Sequence, residues 1–238
     1  MGIVNLTPDS FSGDGLVGDV DRAIRHAREQ FEAGSDILDI GAESSRPGAI
    51  PTPEDEELRR LLPVLKEITT WGVPVSVDTY KPAVMRAALS AGATMINDIA
   101  GMVDPASIAA VAGSDCAVCV MHMQGEPGTM QQAPVYSDVV GEVRAFLQAA
   151  TARLRAAGVA NERIILDPGF GFGKTLEHNL ALFNELQASG FDGLPVLVGT
   201  SRKSMLGAIT GRPVEQRLAA SVAAALIAAQ KGAKILRV

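Results

Sequence analysis

Short runs of β-branched and other apolar residues alternate along the chain with longer stretches of helical periodicity. The runs GIVNL from Gly2, DILDIG from Asp36, PVSVD from Pro74, TMIND from Thr94, CAVCVMH from Cys116, RIILD from Arg163, PVLVG from Pro195 and KILRV from Lys234 read as eight strands. Between the first two, Val20, Ala23, Ile24, Ala27 and Phe31 form one apolar stripe, closed by Gly34 at the helix C-terminus. Thr52, Pro53 and Asp55 predict the start of the next helix, as N-cap, first-turn proline and first-turn acid, and Pro63 predicts a kink within it. Further helices are expected over 82–91, 105–111, 137–157, 176–189, 201–209 and 214–231. This alternation argues for βα units around a parallel sheet. Eight such units in 238 residues approach the size of a (β/α)8 TIM barrel, typically ~250 residues. An open doubly wound sheet is the structural competitor.

Composition narrows the class. With 47% hydrophobic residues, no linker, no low-complexity block and no fixed-period repeat, one domain over 1–238 is the simplest reading. A net charge of -6 and a pI near 5.1 leave no global basic field to hold nucleic acid or an acidic membrane, so an anionic ligand must be held locally. The longest apolar stretch, 218–229, is too short for a bilayer span, and the N-terminus lacks a signal-peptide pattern. A cytoplasmic enzyme or binding protein is expected. Cys116 and Cys119 imitate a C-x-x-C motif, but residues three apart on a strand face opposite ways, so they read as two core thiols.

The candidate chemistry collects where strands end. Asn5, Asp78, Asn97 with Asp98, His122, Asp167 and Arg237 close apolar runs, Glu43 follows the second, and Thr200 to Lys203 follow the seventh. In a barrel all these ends share the face on which the βα loops build an active site. The stretch DPGFGFGKT resembles a P-loop but fails its spacing, because Pro168 stands five residues before Gly173 where a glycine is required. Its glycines instead let the chain leave the rim close to a ligand, while Asp167 stays at the strand end. The segment VGTSRKS puts Ser201, Arg202 and Lys203 in an expected first helical turn, where free N–H groups would receive a carboxylate or phosphate. His26 and His178 read as surface or boundary residues; His122, at a strand end, reads either as a site residue or as packed and hydrogen-bonded, and Lys174 as a solvated loop lysine rather than a contact.

NLTPDSF at Asn5, DIGAESSRPGA at Asp39, SVDTYKP at Ser76, INDI at Ile96, MHMQGEP at Met121, LDPGFGFGK at Leu166 and GTSRKS at Gly199 together resemble the dihydropteroate synthases. That resemblance implies a (β/α)8 barrel transferase of folate biosynthesis. It would join 4-aminobenzoate to 6-hydroxymethyl-7,8-dihydropterin diphosphate, release diphosphate and meet sulfonamides as competitors of the aminobenzoate. It implies catalytic roles for Asp78, Asp167 and Lys203. The pterin would lie against Asp78, Asn97, Asp167 and Lys203, with Met121 on its ring. Asn5, Ser45 and Arg237 would hold the diphosphate with Mg2+, Asn5 being the metal-contacting position. The aminobenzoate would lie near Arg46, Pro47, Phe172, Ser201 and Lys203. Loops 9–14 and 44–49 would close over the site, and a cytoplasmic homodimer is implied.

The chain departs from the family pattern at Ser45, usually Thr, and Ala42, usually Gly. The chain is also expected to stop at its eighth strand, without the family's next His and final helix. Two other readings stand beside this one: a pterin-binding methyltransferase acting on a corrinoid protein, and a non-catalytic pterin- or anion-binding module. The ESSRPG and SRKS segments speak against the first, since methyl transfer does not require their contacts.

Overall fold

The computed structural model describes residues 1–7, 19–46, 48–189 and 193–238. All eight expected strands form: β1 Gly2–Asn5, β2 Leu38–Gly41, β3 Val75–Asp78, β4 Met95–Asp98, β5 Ala117–Met121, β6 Ile164–Asp167, β7 Leu197–Val198 and β8 Ile235–Leu236. Helices α1 Val20–Glu32, α2 Glu54–Ile68, α3 Pro82–Ser90, α4 Pro105–Ala112 and α5 Val139–Ala156 follow the first five strands, and α6 Leu176–Asn184 with α7 Leu186–Ser189 follow the sixth. Two more, α8 Ser204–Thr210 and α9 Leu218–Gln230, lie between β7 and β8.

Strands β1 to β6 pair in parallel in chain order, and β7 pairs with β8. Two seams remain, and backbone bonds close both. Leu166 N–H donates to Pro195 O at 2.9 Å beside a parallel bridge from Leu166 to Val196, joining β6 to β7. Ile3 N–H donates to Val238 O and Val238 N–H to Met1 O, each at 3.0 Å, joining β8 to β1. A doubly wound sheet leaves two open edges; here every strand has neighbours on both sides, which makes a (β/α)8 barrel.

The period of two along each strand sorts side chains into two cores. Outward positions such as Val4, Ile40, Val77, Ile96, Val120 and Leu166 pack under the helices in one large cluster. Inward, Met1, Met95, Cys119, Ile165 and Leu197 fill the barrel. Cys116 belongs to the outer cluster and Cys119 to the inner, both as free thiols.

Several helix boundaries differ from the sequence reading. Helix α2 begins at Glu54 with Pro53 rather than Thr52 at the cap, and four acids in its first turn meet the positive end of the dipole. The helix expected over 176–189 divides at Glu185. The one expected over 214–231 becomes a 3-10 turn at Val214–Gln216 followed by α9. The one expected from Ser201 starts only at Ser204.

Candidate active site

The inward position at each strand's C-terminal end faces the barrel mouth. Register aligns Asn5 with Gly41, Gly41 with Asp78 and Asp78 with Asn97 across four adjacent strands. The stagger of the barrel then pairs Asn97 with Cys119 and Met121 with Asp167, so the last two sit one inward step higher. Gly41 leaves room beside Asp78: a Cβ there would stand 3.4 Å from the Asp78 Cβ.

A cavity of about 340 Å3 opens over this rim. Asn5, Ser45, Arg46, Asp78, Phe172, Ser201, Lys203 and Arg237 line it together. Asn97, Met121 and Asp167 are not in its lining; they lie within the strands at 4%, 3% and 7% exposure. Asn97 Oδ1 is buried without a hydrogen-bond partner, an acceptor suited to a ligand N–H. Pro47 and loop 9–14 lie outside the described residues. Four cations, Arg46, Arg202, Lys203 and Arg237, line the cavity against Glu43 and Asp78, so a chain of net charge -6 nevertheless offers anions a local positive site.

An ion pair beneath the cavity was not expected from sequence. Arg237 Nε donates to Asp39 Oδ2 at 2.6 Å, and its Nη2 to Asp78 Oδ2 at 3.1 Å. Asp39 is fully buried, and its inward, mid-strand position on β2 was the one signal for its role. Burial works to lower the Arg237 pKa, but the carboxylates of Asp39 and Asp78 outweigh it and leave it raised. Burial pushes Asp78 up to about 7 despite the attraction of Arg237. Asp167 is raised by the same cause, with Lys203 and the Gly169 N–H, which donates to its Oδ1 at 2.7 Å, opposing the shift. Burial lowers Lys203 to about 8, against the pull of Asp167.

Lys203 is not a free first-turn cation. Its Nζ donates to the Phe170 carbonyl and lies 4.7 Å from the Phe172 ring centre. Ser201 and Arg202 precede α8 in a turn, with Arg202 at φ 54° and its N–H donating to Ser221 Oγ at 2.9 Å. The expected helix-terminal anion site at Ser201 is therefore absent; Ser201 reaches the cavity from the turn. Helix α8 has only seven residues, and Lys203 itself caps it without a side-chain bond.

Other expectations shift in the same way. Lys174, read as solvated, is 3% exposed. His26 is a boundary residue that also lines the cavity. His122 packs edge-on to Phe146 at 5.0 Å and contacts Lys174. His178 completes a capping box with Thr175. Asp98 faces away from the mouth and holds the following turn, accepting from Ala100 and Met102 N–H at 2.7 Å each. Glu43 anchors the start of the second loop to Lys81 and to Tyr80, whose hydroxyl donates to it at 2.6 Å.

A closed barrel with inward carboxylates and a cationic mouth suits a flat, hydrogen-bonding ring that carries an anion. The sequence profile of the pterin binding enzyme family matches residues 1–238, and the chain belongs to that family. It is 47% identical over 239 residues to the dihydropteroate synthase of Escherichia coli K12, covering 100% of this chain and 85% of the relative. The Yersinia pestis dihydropteroate synthase, solved with a sulfonamide drug complex, superposes with a TM-score of 0.96 at 46% identity, over 100% of this chain and 86% of that one. The Burkholderia cenocepacia dihydropteroate synthase, solved with 7,8-dihydropteroate, gives a TM-score of 0.90 at 52% identity, over 100% and 84%. Within the pterin-binding enzymes the chain thus stands among the dihydropteroate synthases, which are transferases.

Proposed function

We infer that the barrel mouth condenses 4-aminobenzoate with 6-hydroxymethyl-7,8-dihydropterin diphosphate, giving 7,8-dihydropteroate and diphosphate. The observation that carries this reading is the cavity itself, where Asn5, Asp78, Phe172, Lys203 and Arg237, from separate strands and loops, meet around one space. Asp78, Asn97 and Asp167 accept N–H bonds from the aminopyrimidine edge, as a carboxylate accepts a bidentate donor. Met121 packs on the ring and Lys203 bonds it. Asn5, Ser45 and Arg237 hold the diphosphate. Arg46, Phe172, Ser201 and Lys203 receive the aminobenzoate, and Pro47 is assigned beside them on the family resemblance.

The chemistry is a dissociative substitution. The bond from the exocyclic methylene to the diphosphate oxygen breaks, its electron pair leaves with the diphosphate, and the electron-rich pterin stabilises the resulting cation. The aromatic amine then attacks that carbon and loses a proton. No side chain forms a covalent bond. The protein holds the reactants in line and offers fixed charge to the departing oxygens, effects worth several kcal/mol. Mg2+ is assigned on the amide oxygen of Asn5, which lines the cavity. That ion is usually held by one or two protein oxygens together with substrate phosphates, so a single side-chain oxygen beside the diphosphate suffices. Asn5 would hold it, and when bound it neutralises part of the diphosphate charge.

We further propose one domain over the whole chain, a cytoplasmic location and a homodimer. No helix among the described residues is long and apolar enough to cross a membrane. Leu218, Val222 and Leu226, four residues apart on α9, are 63%, 61% and 59% exposed, an apolar face that supports self-association. Sedimentation velocity would report it as a dimer.

Incubating the protein with both substrates and Mg2+ and following diphosphate release tests the reaction. Release that requires 4-aminobenzoate supports it, whereas binding of the pterin without release favours a binding module. Chelation by EDTA is expected to slow release and added Mg2+ to restore it.

A further inference from the structure

The loop after β6 is held almost entirely by side chains. Gly169, Gly171 and Gly173 have φ of 70°, 79° and 60°, the left-handed region that favours glycine, and the segment carries the five carbonyls from Gly169 to Gly173. Each finds a side-chain donor. Phe170 O accepts from Lys203, Gly171 O from Gln131 Nε2, and Gly173 O from the Tyr136 hydroxyl at 2.8 Å. Gly169 O and Phe172 O both accept from Lys174 Nζ, at 2.9 and 3.0 Å. The same Nζ lies 2.9 Å from His122 Nδ1.

Four acceptors surround the Lys174 Nζ, the His122 carbonyl oxygen at 3.3 Å being the fourth. Burial lowers Lys174 to about 7, and in its protonated form His122 Nδ1 is an acceptor with that ring's proton on Nε2. Burial, with Lys174 second, lowers His122 to about 3, consistent with a neutral ring. The seat is tight: a Cβ on Gly169 would come 1.9 Å from the His122 carbonyl oxygen, and one on Gly173 2.4 Å from that of Gln124. Burying an ammonium is costly, and an apolar side chain of similar length would fill the space more cheaply. Lys174 does not line the cavity, and its amine is already engaged by the loop carbonyls and by His122.

We propose that Lys174 is a positioning residue for the aminobenzoate end of the site. Its amino group ties the Gly169 and Phe172 carbonyls to His122 at the end of the neighbouring strand, which sets the Phe172 ring and the Phe170 carbonyl that together fix Lys203. Two lysines therefore grip one loop, Lys174 buried away from the cavity and Lys203 in its lining. This assignment rests on the reading that Phe172 and Lys203 receive the aminobenzoate.

The test uses Lys174→Met and Lys174→Gln, with Phe172→Ala and Lys203→Met as references. For K174M, the KM for 4-aminobenzoate should rise roughly 10-fold and kcat should fall, the size expected when buried carbonyls lose their donor. The dissociation constant of the pterin diphosphate, measured by calorimetry, should change by less than the aminobenzoate KM, since Asp78 and Asn97 stand on β3 and β4 away from this loop while only Asp167 and Lys203 adjoin it. K174Q, which keeps two N–H donors, should fall between. An unchanged aminobenzoate KM in folded K174M overturns the assignment, as does an equal loss of affinity for both substrates. If neither variant yields protein with native circular dichroism, Lys174 is a stability element and the assignment is withdrawn. Should F172A and K203M leave the aminobenzoate KM unchanged, the reading of the site fails, whatever K174M does.

Discussion

The guanidinium of Arg237 on the last strand donates to the carboxylate of Asp39 on the second at 2.6 Å, across 198 positions of sequence. The pair lies at the base of the cavity and leaves Arg237 Nη2 for Asp78. Removing one partner of a buried pair strands the other charge, at a cost of about 3 kcal/mol or more. Asp39→Asn is therefore expected to lose about that much stability in urea denaturation. It should also raise the KM for the pterin substrate, because Arg237 is then held by Asp78 alone.

Pterin affinity should depend on pH through Asp78. Burial raises its folded pKa to about 7 from the ordinary carboxylate value near 4, so the folded state carries the proton across that interval. The group's contribution to stability is thus fully present below about 4 and lost as pH rises through about 7. Ligand binding runs the other way, since the aminopyrimidine needs an ionised acceptor. Calorimetric affinity for the pterin should weaken as pH falls below about 7, and this component should vanish in Asp78→Asn.

Lys203 should give the aminobenzoate a dependence of opposite sense. Burial lowers its pKa to about 8, so the ammonium that attracts a carboxylate is lost above that pH. The KM for 4-aminobenzoate should rise by about tenfold per pH unit beyond it, and the rise should be absent in Lys203→Met. Steady-state kinetics from pH 7 to 9.5 would show whether the inflection moves with the residue.

Asp167→Asn keeps the shape of the side chain but turns an oxygen toward an amide donor. It should weaken pterin binding by about 2 kcal/mol, roughly 30-fold. Thermal unfolding should show a modest change, because the Gly169 N–H can still donate to the remaining carbonyl oxygen.

Two glycines with positive φ should respond very differently to alanine. At Gly34, φ is 97° and nothing lies within 4 Å of an added Cβ, so only the backbone preference opposes the change, about 1 kcal/mol. At Gly169 the added carbon would overlap the His122 carbonyl, so Gly169→Ala should cost about 3 kcal/mol and displace the loop. A melting temperature for G169A close to that of G34A would show that the loop yields freely.

Much of this was legible in the chain. Strand runs ending in Asp78, Asn97 and Asp167 stood out because a period of two and a polar terminus are local features. The start of α8 was not legible. Ser201, Arg202 and Lys203 look like a first helical turn, but Ser221 on α9 captures the Arg202 N–H and holds that residue in the left-handed region. Lys174 looked solvated because a lysine after glycines usually is. It is buried because His122 and two loop carbonyls, distant from it in chain or direction, converge on its amine.

By itself the sequence determined the order of strands and helices, which side of each strand is apolar, and which ends carry carboxylates, since neighbouring residues decide these. Only the tertiary structure decided that the ring closes between β8 and β1, that Asp39 faces Arg237, and that two lysines share one loop. Those facts depend on strand stagger and close packing between segments far apart in the chain, and no local pattern encodes a distance.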